Sequence, residues 1–182
     1  MEESNLSRLM ISAPQKSAGK TTVSLGIIHN LVEDGVCIQS FKKGSDYIDP
    51  MWLKLASGDE CHNLDPYLMG AQGCLDSFSR HGIKSGMALI EGNHGLHDGM
   101  SLDGSDSSAG LANMLKSPVL LVINSRGMNR GAAALVTGMQ KMKPEPNIVG
   151  VILNHVRTHR QEEKQKSAIE NHCGVPVVGS IP

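Results

Sequence analysis

The sequence predicts an α/β protein: a mostly parallel sheet with helices on both faces. Three observations predict it. Short apolar runs rich in β-branched residues alternate along the chain with segments of helical pattern. Several of those runs are apolar at nearly every position, as strands covered on both sides are. With 182 residues, 40% of them hydrophobic, the chain can bury a proper core as a single unit spanning 1–182.

Element by element, RLMISA (8–13) reads as the first strand, and a polar loop then leads to a helix over 20–34. VCIQSF (36–41) is the next strand. The stretch from KKGSDYIDPMW to NLDPYLMG (42–70) breaks the rhythm with a long, aspartate-bearing connection. It holds the single Trp and both Tyr, so it is expected to be ordered and to face a ligand. A helix follows within 66–82, then the strand MALIEG (87–92), a helix over 107–116 and the strand VLLVIN (119–124). A helix over 130–142, the strand IVGVILN (148–154), a helix over 160–172 and the strand VPVVGSI (175–181) complete the order. Gly35, Gly150 and Gly174 fall where helices should have ended.

Composition removes several function classes. A net charge of -1 gives no footprint for nucleic acid or a membrane surface, and 3% aromatics cannot build base-stacking platforms. Cys37, Cys61, Cys74 and Cys173 form no C-x-x-C pair, which leaves zinc and thioredoxin-type chemistry unsupported. The amino-terminal MEESNLSRLM is acidic and polar, unlike a secretory signal, and no apolar run approaches a bilayer span. A cytoplasmic protein is expected.

The chemistry begins at SAPQKSAGKTT. The residues GKTT (19–22) sit between a strand and a helix, the context a phosphate-binding P-loop requires. Ala13, Gln15, Lys16, Ser17, Ala18 and Gly19 form the loop, and Thr22 follows in the first helical turn. Their N–H groups and the positive end of the helix suit phosphate. Lys20 would reach the terminal phosphates, and Thr21 would place its hydroxyl on Mg²⁺. Pro14 stands at the first glycine of the strict motif; a loop one residue longer puts Ala13 there. Alanine can replace that glycine if its φ stays negative.

Metal ligands should lie at other strand ends, since ligands of open parallel sheets bind beyond the strands' carboxyl ends. Glu91 ends MALIEG, Asp98 follows in GLHDG, and Asp46 and Asp49 lie in GSDYIDP. Asp65, ahead of a proline in NLDP, is equally well explained as a turn residue. His94 and His97 lack a third ligand at metal-site spacing, which favours surface or substrate-facing roles.

Taken together, GKTTVSLGIIHNL, FKKGSDYIDPMWL, NLDPYLMG, EGNHGLHDG, NSRGMNRGAAALVTG and VGVILNHV resemble the cobyrinic acid a,c-diamide synthase family from about residue 8 onward. KKG, DPMWL, NLDPYLMG and LDGSDSSAGLA look most like its sirohaem-amidating branch. The resemblance implies a P-loop NTPase fold similar to dethiobiotin synthetase, a three-layer sandwich. It implies an ATP- and Mg²⁺-dependent ligase that phosphorylates a side-chain carboxylate of a tetrapyrrole and lets ammonia displace the phosphate. Catalytic roles carry over to Lys20, Asp46, Asp49 and Asp98, and metal roles to Thr21, Asp49 and Glu91. Tyr47 and Ile48 match positions that contact the macrocycle, and Asn154 resembles the asparagine that reads adenine through its amide edge.

Three departures stand out. Ala13 and Ser17 replace glycines common in related loops. His97 stands where many relatives carry Tyr, at a position that faces substrate. The family's glutaminase domain does not follow VPVVGSIP in this sequence, so three expectations stand: free ammonia, a separate glutamine amidotransferase, or a truncated or degenerate copy. Related ligases commonly form homodimers. Two alternatives remain: a nucleotide- or tetrapyrrole-binding protein without turnover, and a partitioning-type ATPase. The latter class carries a second lysine where Gln15 stands here.

Overall fold

The computed structural model describes residues 6–82 and 86–182; part of the acidic amino-terminal stretch read above, residues 1–5, lies outside them. One seven-stranded parallel sheet organises the chain. Its strands are β1 (Ser7–Ser12), β2 (Ile38–Lys43), β3 (His62–Leu64), β4 (Met87–Glu91), β5 (Val119–Asn124), β6 (Ile148–Asn154) and β7 (Val177–Ser180). Their order across the sheet is β3-β2-β4-β1-β5-β6-β7. The helices are α1 (Lys20–Glu33), α2 (Ile48–Ser57), α3 (Pro66–Gly82), α4 (Ser108–Met114), α5 (Gly131–Lys141) and α6 (His159–Cys173).

Period-two alternation divides the core in two. On β1, Met10 joins the cluster with Phe41, Phe78, Leu121 and Ile169, beneath α3 to α6. Its neighbour Ile11 joins the opposite cluster with Val23, Ile28, Ile38 and Leu53, beneath α1 and α2. The three layers expected from the sequence are therefore the observed ones.

Three local expectations change. The connection 42–70 contains helix α2 and edge strand β3, where the sequence suggested ligand-facing loop. On α2 only Leu53 is buried, while Tyr47 at its cap, Met51, Trp52 and Leu55 are exposed, so no inward apolar stripe marks it as a helix. The second strand runs two residues beyond Phe41, taking in Lys42 and Lys43. Gly150 terminates no helix: it lies inside β6, where an added Cβ would come within 3.2 Å of Leu120 and Val178. Gly35 and Gly174, by contrast, follow α1 and α6 with φ of 81° and 65°.

Candidate functional site

The carboxyl ends of β1, β2 and β4 surround a cavity of about 410 Å³, lined among others by Lys16, Lys20, Thr21, Lys42, Asp49 and Glu91. Its floor is the loop between β1 and α1. Gly19 caps α1 in the left-handed region (φ 98°) and no side chain caps the helix, so its first-turn N–H groups stay available to an anion. Ala13 is buried, its carbonyl accepts from Leu96 N–H at 2.7 Å, and it is not among the left-handed residues, so alanine fits the glycine's place. Ser17 does adopt a left-handed φ of 58°, which explains why glycine suits that position. His94 (50°) and His155 (61°) share this strained geometry at the ends of β4 and β6.

The polar centre is a short network. Thr21 donates to Glu91 Oε1 at 2.7 Å. The Lys42 ammonium lies 2.9 Å from the same oxygen, 2.6 Å from Asp49 Oδ2 and 3.3 Å from the Gly92 carbonyl. Glu91 is fully buried, and its Oε2 has no partner among the described residues. Burial lifts the Glu91 carboxyl above its ordinary range, against the pull of Lys42 and the Thr21 hydroxyl. Burial also opposes charge on Lys42, but Glu91 and Asp49 outweigh it and hold the ammonium above the usual lysine value. Lys20 donates to the His94 carbonyl at 2.7 Å; burial and then the nearby Lys42 charge push its pKa down.

The other predicted residues divide. Asp46 lines the cavity and its Oδ1 accepts from the N–H of Ile48 and Asp49, which starts α2 and aims Asp49 inward. Ala18 is buried under the loop, while Gln15 and Thr22 are exposed beside the cavity without lining it. Tyr47 and Ile48 stand exposed on its rim. Asn154 is 6% exposed and both ends of its amide are engaged. Its Nδ2 donates to the Ala18 carbonyl at 2.8 Å and its Oδ1 accepts from His155 N–H at 3.0 Å, so here it braces the loop from β6.

Asp98 accepts from Gly95 N–H at 2.8 Å and lines a second cavity of about 480 Å³ beside the first. Lys43, Asp65, Tyr67, Leu68 and Met100 share that second wall. Consecutive lysines of β2 thus serve different cavities, because alternate strand residues face opposite sides of the sheet. His97 lines neither cavity: its Nε2 pairs with the Met139 carbonyl on α5 at 2.8 Å. The structure therefore turns it toward the core, away from any substrate in these cavities.

Lys42 is the residue that sequence reasoning missed. The apolar run stops at Phe41, so KK looks like the solvated end of a strand. The available signal was chemical: two carboxylates converging near strand ends require a nearby cation.

Mg²⁺ favours a few carboxylate or hydroxyl oxygens plus water and phosphate. Thr21, Asp49 and the partnerless Glu91 Oε2 offer such a set. Among the described residues no cluster of three or more His, Cys, Asp or Glu has metal-holding geometry, and no helix is long and apolar enough to cross a membrane.

A family model, CbiA, described as the CobQ/CobB/MinD/ParA nucleotide binding domain, matches residues 9–182. The chain is similar to the cobyrinate a,c-diamide synthase of Magnetococcus marinus, 49% identical over 175 residues covering 96% of this chain and 38% of that protein. It is similar to the protein of the same name from Methanosarcina acetivorans, 44% identical over 186 residues covering all of this chain and 37% of that one. The chain spans less than two fifths of the length of these curated relatives. Among solved structures, the signal recognition particle 54 kDa protein of Aeropyrum pernix K1 in complex with GDP superposes with a TM-score of 0.68 at 17% identity. That match covers 97% of this chain and 42% of the other. The hydrogenase maturation factor HypB of Archaeoglobus fulgidus gives 0.64 at 11% identity, covering 98% and 83%. At such identities the likeness speaks for a shared P-loop NTPase fold alone.

Proposed function

This chain belongs to the CobQ/CobB/MinD/ParA nucleotide-binding domain family, and from that premise we propose that it is the ATP-dependent ligase part of a tetrapyrrole-amidating enzyme. The observation that carries the proposal is the Thr21–Glu91–Lys42–Asp49 network. It joins the P-loop hydroxyl to two carboxylates from other elements, beside the lysines that line the same cavity. ATP would lie with its terminal phosphate between Lys16 and Lys20. Thr21, Asp49 and Glu91 would hold Mg²⁺, which supplies charge neutralisation at the transferring phosphoryl group.

The acceptor would occupy the second cavity and the rim formed by Tyr47, Ile48 and Tyr67. A carboxylate oxygen of the acceptor attacks the terminal phosphorus, forming an acyl phosphate and releasing ADP. Ammonia then attacks the acyl carbon, expels inorganic phosphate and loses a proton to leave the amide. Water would destroy the mixed anhydride, so the acceptor must close the cavity before transfer. The names of the similar proteins favour this reading over a partitioning-type ATPase, and Gln15 offers no second loop lysine.

The test is phosphate release from ATP on adding a carboxylated tetrapyrrole with ammonium. Stimulated release in the wild type, abolished in Lys20→Ala together with nucleotide binding, supports the ligase. A wild type that binds ATP and the macrocycle but shows no stimulation would make it a binding module instead.

A further inference from the structure

Lys42 poses a charge problem that the ligase reading leaves open. Its ammonium is 1% exposed and lies between two carboxylates, in contact with Glu91 Oε1 and Asp49 Oδ2. Those are the same groups that, with Thr21, offer oxygen ligands to a divalent cation. Glu91 Oε2 stays without a partner, but an ammonium held on Glu91 Oε1 and Asp49 Oδ2 neutralises the pair and repels a divalent ion drawn to it. We propose that Lys42 is a resident counter-ion that keeps the Asp49–Glu91 pair closed to metal until a nucleotide arrives.

Local charge supports this order of events. The lining of the cavity pairs three lysines, Lys16, Lys20 and Lys42, with three carboxylates, Asp46, Asp49 and Glu91, so its formal charges balance. A divalent ion entering alone would leave two positive charges in excess, in a place where Glu91 is shut off from water. It would also compete with Lys42 for the charge of both carboxylates. The phosphates of a nucleotide remove both obstacles. They neutralise the incoming ion, and they offer the displaced ammonium oxygens within the cavity it already lines with Lys16 and Lys20. Metal and nucleotide are then positively coupled, and the coupling runs through one side chain. Lys42 acts here as a positioning residue for the metal, whatever it does later in the reaction. The inference rests on the proposed Mg²⁺ site but not on the identity of the acceptor.

The experiment measures Mn²⁺ affinity by electron paramagnetic resonance of the full chain, with and without ADP. In the wild type, Mn²⁺ alone should bind at least 10-fold more weakly than with ADP present. In Lys42→Met, Mn²⁺ alone should bind at least 10-fold more tightly than in the wild type, shrinking the effect of ADP. Tight nucleotide-free binding by the wild type overturns the inference without needing any variant to fold. Unchanged or weakened Mn²⁺ affinity in folded Lys42→Met overturns it as well. A wild type that binds no Mn²⁺ even with ADP defeats the metal site itself, and Lys42's role with it.

Discussion

Replacing Lys42 by Met should cost up to about 3–4 kcal/mol of folding stability at pH 7 and far less at pH 5. The substitution shortens a buried side chain, 2% exposed, by one atom and deletes its charge. Glu91, fully buried, then keeps only the Thr21 hydroxyl. Breaking a buried pair in this way costs about 3–5 kcal/mol. The chain can limit the loss by protonating Glu91. From an ordinary glutamate value of about 4.3, that costs about 1.4 kcal/mol per pH unit, hence at most about 3.7 kcal/mol at pH 7 and about 1 kcal/mol at pH 5, less the part that the raised carboxyl already costs the wild type. Asp49, with a side chain 26% exposed, can turn to water and adds little.

Urea unfolding of wild type and variant at the two pH values reads the difference directly. Adding Glu91→Gln to Lys42→Met should restore most of the loss at pH 7, because the amide carries no charge to bury. The sign at alkaline pH follows from the raised lysine. The stability Lys42 contributes is complete below about pH 10.4, the unfolded value, and is lost as pH rises through the higher folded value. The variant should lack that alkaline limb. A loss equal at pH 5 and pH 7, or below about 1 kcal/mol at pH 7, would refute the assignment of Lys42 as the compensating charge.

Three further outcomes follow from the same geometry. Ser17→Gly relieves a left-handed serine at about 1–2 kcal/mol and gives back about 0.5–1 kcal/mol in chain entropy, so thermal unfolding should show unchanged or slightly raised stability. A clear loss would contradict the loop geometry. Gly19→Ala would put a Cβ 2.1 Å from Asn154 Nδ2 at a φ of 98°. Titration with a fluorescent nucleotide should show affinity reduced by roughly 10-fold or more, as 1.4 kcal/mol of strain implies; full affinity would contradict it. Asp49→Asn should spare ATP binding, measured by calorimetry, and stop amide formation, measured by mass spectrometry of the macrocycle. Normal product would remove Asp49 from the reaction.

Sequence legibility followed how local each signal was. β1, the loop and α1 could be read because a buried strand, GKTT and a long helix lie adjacent in the chain. β5 and β6 match their expected bounds, 119–124 and 148–154, since apolar runs covered on both faces need no partner to be recognised. α2 was hidden because its large apolar residues other than Leu53 face outward, and β3 because three residues carry no periodicity. Glu91 could be placed from its strand end. Lys42 could not, since its burial depends on Glu91 from β4, far along the chain, and on Asp49, which is near in sequence but placed by the unrecognised helix α2. His97 misled in the opposite way: a histidine in a glycine-rich turn suggests a ligand contact, yet a carbonyl of α5 claims its ring.

Helix α2 bears both Asp49 and, three residues on, the single Trp of the chain, Trp52, 53% exposed. The protein thus contains its own optical probe, on the same helix as a carboxylate that lines the P-loop cavity. A rearrangement of that helix that covers or further exposes the indole would change its emission. Stopped-flow emission could then time the event without a label or a coupled reaction.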